Sequence, residues 1–240
     1  MSITAGASTG TVTVRSEGST RPYLGILVPC TDTIRTDWAM AYANTIATLA
    51  PRMPFTMYWS KHYNIAYARN DITEKALAEG CRKLLYWDTD QYPFRIDGSS
   101  LIPFPQFVFR LMAHNYPIVC ALHWLKIGAP NLLVMKSDDP TGYGALTGRI
   151  ENFVGKLAFV DASSMGICLA DARVFTKIEY PWFEYTRERT EQGHFEMAED
   201  INFFRKCREA GFRVLVDGHV YSKHMGSAFH IWENTFEVPK

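Results

Sequence analysis

Large apolar side chains are almost missing from residues 1–20, where Ser, Thr and Gly dominate, and from Tyr23 onward they recur in short blocks separated by polar stretches. A segment with so little to bury cannot offset the entropy of ordering, so residues 1–20 are expected as a flexible tail and residues 21–240 as one folded domain. Tyr23-Leu24-Gly25-Ile26-Leu27-Val28, closed by Pro29, reads as a buried strand feeding a loop. A helix follows over 32–50, then a second apolar run over 54–59. Asp71 and Glu74 have the spacing of a capping box, so the next helix is expected from there to Gly80, whose missing Cβ suits a left-handed stop. Lys83-Leu84-Leu85-Tyr86-Trp87 reads as a strand that ends abruptly in Asp88-Thr89-Asp90.

The alternation continues with a helix over 105–114 and a strand over 117–122. Residues 126–159 hold several glycines and short β-prone pieces at 132–136 and 156–160, the pattern of a β-rich excursion from the main sheet. A strand over 165–169, a helix from Asp171, a helix over 200–210 stopped by Gly211, and a strand over 212–216 close the domain. Strand, helix, strand in this order predicts a single α/β domain of Rossmann-like character, with a mostly parallel central sheet flanked by helices.

Composition narrows the function classes. Lys+Arg and Asp+Glu both number 25, so no net field draws the chain to nucleic acid or to an anionic membrane, and charge chemistry has to be local. Cys30, Cys81, Cys120, Cys168 and Cys207 are odd in number, widely spread and without a C-x-x-C pair, which argues against a disulfide framework or zinc ribbon and for a reducing, cytoplasmic setting. No apolar run approaches the roughly 20 residues of a transmembrane helix, and the N-terminus lacks the layout of a signal peptide.

Asp88-Thr89-Asp90 is the sharpest candidate for chemistry, because ligands of open α/β sheets bind beyond the C-terminal ends of the strands. Two carboxylates one residue apart can face a hard divalent cation, although Asp is also a common turn residue. Glu199-Asp200 opens the amphipathic segment Ile201, Phe204, Cys207, Ala210, so Asp200 either caps a helix or takes a proton from a substrate hydroxyl, and the two tasks are compatible. His224, expected just beyond the last strand, could complete an Asp-bound metal site, with Lys223 beside it as a phosphate contact or a solvated cation. Arg69-Asn70 could fork onto a diphosphate or simply start a helix, and Thr31 and Asp32 suit a base or ribose or a helix cap. His123-Trp124 and Trp182-Phe183 are aromatic pairs at expected loop positions, suited to a sugar face or to core packing.

The ordered set resembles the nucleotide-diphospho-sugar transferase fold, the GT-A type, and above all glycosyltransferase family 2 with its small bacterial and viral relatives, over about residues 23–226. The resemblance rests on the strand ending in Val28-Pro29, then Ala68-Arg69-Asn70, the Trp87-Asp88-Thr89-Asp90 turn, Pro117-Ile118-Val119 and Met165-Gly166-Ile167. It continues through Pro181-Trp182-Phe183, Glu199-Asp200-Ile201-Asn202, Gly211-Phe212-Arg213-Val214 and His224-Met225-Gly226. It implies that Pro29, Thr31, Asp32, Arg69, Asn70, Thr89 and Lys223 hold a UDP- or GDP-sugar and that Asp88 contacts ribose or metal. Asp90 and His224 would bind Mn²⁺ or Mg²⁺. Asp200 would be the general base for inverting transfer to a carbohydrate, lipid-linked or other hydroxyl acceptor, with His123, Trp124, Trp182 and Glu199 around the acceptor and sugar.

Rival classes fit less well. A sugar-phosphate nucleotidyltransferase needs a Gly-rich basic loop after the first strand, where this chain has Pro29-Cys30-Thr31-Asp32-Thr33. A phosphatase of the haloacid dehalogenase kind carries D-x-D on its first strand with Thr or Val two residues beyond, where this chain has Tyr92. A non-catalytic nucleotide-sugar or carbohydrate-binding protein has no need of the full set Asp90, Asp200 and His224.

Overall fold

The computed structural model of the 240-residue chain describes residues 11–14, 23–30, 33–62, 64–97, 100–123, 134–135, 153–190 and 193–224. In chain order the elements are β1 (Thr11–Val14), β2 (Leu24–Cys30), α1 (Thr36–Leu49), β3 (Phe55–Lys61), α2 (Ile65–Ala78), β4 (Lys83–Trp87), β5 (Gln91–Asp97) and β6 (Ser100–Pro103). They continue with α3 (Phe107–Ala113), β7 (Ile118–His123), β8 (Val134–Met135), β9 (Leu157–Val160), β10 (Ala162–Ser163), β11 (Ile167–Asp171) and α4 (Ala172–Phe175). The last are β12 (Thr186–Thr190), β13 (Gly193–Met197), α5 (Glu199–Glu209) and β14 (Val214–His224).

The main sheet runs β1, β3, β2, β4, β11, β7, β14, β5, β6, with β9 also paired to β14. It is a mixed sheet in a single α/β domain: β2 is parallel to β3 and β4, β14 is parallel to β7, and the other pairs are antiparallel. The antiparallel insertion of β11 between β4 and β7 is what the alternation did not reveal. A strand buried on both faces is continuously apolar in either direction, so pattern alone carries no sign of polarity.

Successive side chains of each central strand feed two cores. On one face Leu84 and Tyr86 pack with Ile72 and Ala76 of α2 and Phe203 and Phe204 of α5. On the other, Leu85 and Trp87 pack with Trp38 and Leu49 of α1 and Phe107 and Leu111 of α3. This period of two, with helices on both faces, is the physical content of the α/β reading.

Several boundaries depart from expectation. Within 1–20, assigned above to a tail, residues Thr11–Val14 form β1 antiparallel to β3, since the β-branched alternation Thr-Val-Thr-Val suits an edge strand. α2 starts six residues before the supposed capping box: Asn64 is its cap, accepting from the Tyr67 backbone N–H at 3.1 Å, while Asp71 pairs with Lys75 one turn on. The buried Arg69 and Asn70 interrupt the apolar periodicity and hid that first turn. Gly80 and Gly211, at φ 82° and 84°, do close α2 and α5. β14 is eleven residues long, because a bulge between Asp217 and Tyr221 lets pairing resume past Gly218. A Cβ at Gly218 would lie 1.7 Å from the Phe153 carbonyl oxygen, so only glycine fits. Of the excursion over 126–159, β8 and β9 are described, and β8 pairs with β10. The hairpins β5–β6 and β12–β13 were not anticipated. None of the described helices is long and apolar enough to cross a membrane.

Candidate active site

The parallel pairing of β2 with β4 brings their C-terminal ends to one edge of the sheet, where ligands of such folds bind. A cleft of about 290 Å³ opens there, walled by Pro29, Cys30, Asp88, Thr89 and Asp90 from the strand ends and by Arg35, His62 and Ile65 from neighbouring segments. Arg35 and His62 had no sequence signal, since both stand in loops without periodicity. The pairing of Cys30 with Lys61 is what carries His62 to the cleft.

Behind the cleft lies a cluster of acids around one cation. Arg69 is buried on the inner face of α2. Its Nη2 donates to Asp88 Oδ2 at 2.8 Å and its Nη1 donates to Glu199 Oε1, so the guanidinium ties α2 to the end of β4 and the start of α5. The expected diphosphate fork is therefore closed on protein carboxylates instead. Asp88 Oδ1 is buried and, among the described residues, without a hydrogen-bond partner. Burial pushes the Asp88 carboxyl above its ordinary range, against the pull of Arg69 and with the help of Asp90. Asp200 follows Glu199 in the first turn of α5, its Oδ1 accepting from the Ile201 backbone N–H at 2.8 Å. Burial, opposed by Arg69 and reinforced by Glu199, lifts its pKa to about 6.

His224 is the last residue of β14 rather than a loop residue, and its strand partner is Gln91. That register sets its Nε2 3.0 Å from Asp90 Oδ2, joining residues 134 positions apart in the chain. A buried polar layer supports the pair. Ser222 Oγ donates to Gln91 Oε1, and a Cβ at Gly166 would meet Gln91 Cγ at 2.7 Å, so glycine there lets Gln91 lie flat. The Gly166 carbonyl accepts from the Asp88 backbone N–H at 2.9 Å, and His123 Nε2 accepts from the Ile167 N–H at 2.7 Å. Burial, with His224 nearby, lowers the His123 pKa to about 3, so this imidazole is neutral with its proton on Nδ1.

Of the three expected metal ligands the structure joins Asp90 and His224 and turns one oxygen of Asp88 to Arg69. Among the described residues no three His, Cys, Asp or Glu side chains are grouped to hold a metal ion by themselves. Asn70, expected on the diphosphate side, instead clamps the backbone of Phe183, donating to its carbonyl at 2.7 Å and accepting from its N–H at 3.1 Å. Trp182, expected at a sugar, donates to the Phe175 carbonyl at 3.0 Å and packs edge-on to Phe175. His123 lies in the supporting layer, and Glu199 is held by Arg69. Lys223 is half-buried on β14, opposite Tyr92. Thr31, Asp32 and Trp124 lie outside the described residues.

No family model matches the chain, and no curated protein matches its sequence. Among solved structures it is similar to A197 from STIV, with a TM-score of 0.53 at 17% identity over 85% of this chain and 86% of that one. It is also similar to GalNAc-T7, solved with UDP, GalNAc and Mn²⁺, with a TM-score of 0.51 at 10% identity over 89% of this chain. The fold is GT-A-like. At these identities the likeness speaks to fold alone, and the chain spans 47% of the GalNAc-T7 structure.

Proposed function

We propose that the protein is a metal-dependent glycosyltransferase, akin to family 2, that moves a sugar from a UDP- or GDP-sugar to an acceptor hydroxyl with inversion. The observation that carries this reading is the meeting of Asp90 and His224 at 3.0 Å beside the strand-end cleft, backed by the acid cluster on Arg69. A carboxylate and an imidazole suit Mn²⁺ or Mg²⁺, and the buried, unpartnered Asp88 Oδ1 fits a site that a ligand completes. Asp90 and His224 would hold the ion, which when bound supplies positive charge against the leaving nucleoside diphosphate.

The chain's own residues do the rest. Pro29, Thr89, Arg35 and His62 wall the cleft for the nucleotide, where the Arg35 guanidinium, 3.9 Å from Asp37, would meet phosphate oxygens. Arg69 holds Asp88 and Glu199 in fixed positions, and so sets the first turn of α5. Asp200, with a pKa of about 6, is ionised at neutral pH yet basic enough to take the proton of an acceptor hydroxyl. The acceptor oxygen then forms its bond to the anomeric carbon as the sugar–phosphate bond breaks, and a single displacement inverts that carbon. A non-catalytic binding protein is disfavoured by Asp200, because a carboxylate held near neutral pKa costs stability and serves no binding task seen here.

Thermal unfolding with UDP, GDP and their sugars, with and without Mn²⁺, tests the donor site, since a ligand of the folded state raises the midpoint by mass action. The expected result is a metal-dependent rise for one nucleotide, lost in Asp90→Ala and His224→Ala and kept in Asp200→Asn. Donor turnover in Asp200→Asn should fall roughly 10²- to 10⁴-fold. No rise with any nucleotide under any metal condition would overturn the reading.

A further inference from the structure

β9 pairs along one side with residues 214–217 of β14, at the opposite end of that strand from His224. Among the described residues no strand pairs with its other side. A groove of about 440 Å³ follows that open side, lined by all of 157–161 together with Arg208, Phe212 and Arg213. Successive side chains of a strand point to opposite faces, so a hollow that touches five consecutive residues runs along the backbone edge rather than over one face. The packing agrees: Ala158 and Phe212 lie against the core beneath α5, whereas Phe159 lies against the core beneath α1 and α3. An edge left open in this way presents main-chain N–H and C=O groups to whatever enters the groove.

The sequence Leu-Ala-Phe-Val of β9 has neither a charge nor a proline to block pairing, and Leu157 is 51% exposed, whereas β6, at the end of the main sheet, closes on Pro103. Charge flanks the groove from both faces instead. On the α5 face Arg208 reaches Asp161 at 4.0 Å, the limit of an ion pair. On the other face the Arg213 guanidinium lies 3.7 Å from the centre of the Phe159 ring, which packs in turn on Tyr116 with centroids 5.3 Å apart. Among the described residues no carboxylate pairs with Arg213. A guanidinium resting on a ring is held in place and keeps its N–H donors. With two arginines and one aspartate, the lining is net positive. An entering strand that carries carboxylates therefore satisfies both the main-chain ladder and the arginines. A second copy of this chain would bring the same two arginines to the seam and meet like charge.

We infer that β9 is a docking edge for an acidic, extended segment of a partner protein, which adds a strand to the sheet. Main-chain hydrogen bonds supply the affinity, and Arg208 and Arg213 select for carboxylates. Residues 157–161 span roughly 16 Å as a strand, the reach of a five- or six-residue peptide. The inference stands apart from the transferase reading, because none of these residues lines the strand-end cleft.

Amide NMR titration of the full chain tests it with three blocked hexapeptides: alternating valine and glutamate, alternating valine and lysine, and the glutamate peptide with its central residues changed to proline. The first should bind, slow amide exchange across β9 and weaken as salt is added. It should bind about tenfold or more tightly than the lysine peptide, and Arg208→Glu or Arg213→Glu should weaken it about tenfold. Arg52→Glu, which removes a guanidinium resting on Phe109 outside the groove, should leave binding unchanged. The proline peptide should fail to bind, having lost the N–H groups of its centre. No binding by the glutamate peptide, equal binding by the lysine or proline peptide, or unchanged exchange across β9 in the wild type would overturn the inference. A dimer in sedimentation that protects the same amides would overturn it too, by giving the edge to a second copy.

Discussion

Two buried sites in this domain each set carboxylate against an arginine, and they come out opposite. Asp217, fully buried at the bulge of β14, accepts from Arg110 Nε at 2.6 Å and Nη2 at 3.2 Å, from His114 Nε2 at 2.7 Å and from the His219 backbone N–H at 2.9 Å. Burial alone would raise its pKa, but the hydrogen bonds from Arg110, His114 and His219 outweigh it and hold the carboxyl below its ordinary range. At the cleft one guanidinium is divided between Asp88 and Glu199, one oxygen of Asp88 has no partner among the described residues, and burial wins at both Asp88 and Asp200. The two sites differ in donors per carboxylate. The satisfied site fastens α3 to β14, and at the other the acids share one cation.

The sharpest way to break this contrast is to remove each arginine. Arg69→Met leaves Asp88 and Glu199 buried without their countercharge and should cost about 3–5 kcal/mol in urea unfolding. Arg110→Met leaves Asp217 its histidine and backbone donors, so the loss there should be about 1–2 kcal/mol. Equal losses would mean that the two clusters do not differ as described.

Next in size is the fastening itself. Asp217→Asn should lower stability by about 2 kcal/mol while leaving any nucleotide-dependent rise in midpoint unchanged. Because the folded pKa of Asp217 is depressed, its contribution is complete above the ordinary carboxylate pKa and disappears as pH falls through the folded value. The gap between wild type and Asp217→Asn should therefore narrow below about pH 4.

The smallest effect has the opposite sign. Asp200, raised to about 6, binds a proton in the folded state before it does so unfolded, so the wild type loses stability as pH climbs through that window. Asp200→Asn should be more stable at neutral pH by about 1 kcal/mol, a value reduced for partial exposure, and the gain should vanish below about pH 4. A destabilised Asp200→Asn would make this residue a structural acid like Asp217.

Much of this was legible in the chain. Val28-Pro29, Trp87-Asp88-Thr89-Asp90 and Glu199-Asp200 stand where apolar runs or amphipathic helices begin and end, and each reaches the same region of the fold. Arg69 and Asn70 were found as residues, but their partners Asp88, Glu199 and Phe183 were not, because charge-assisted forks close equally well on a carboxylate or a phosphate and sequence does not name the acceptor. His62 and Arg35 left no trace, since a loop side chain without periodicity looks the same wherever it lies.

By itself the sequence determined the α/β class, the positions of the central strands and the acids at their ends, because burial periodicity and helix stops are local properties written residue by residue. Only the tertiary structure decided strand direction, the lengthening of β14 past its bulge, and the pairings Arg69 with Glu199 and Asp90 with His224. Those pairings span 130 and 134 residues, and they depend on register and on the competition between burial and hydrogen bonding, both of which exist only once the chain is folded.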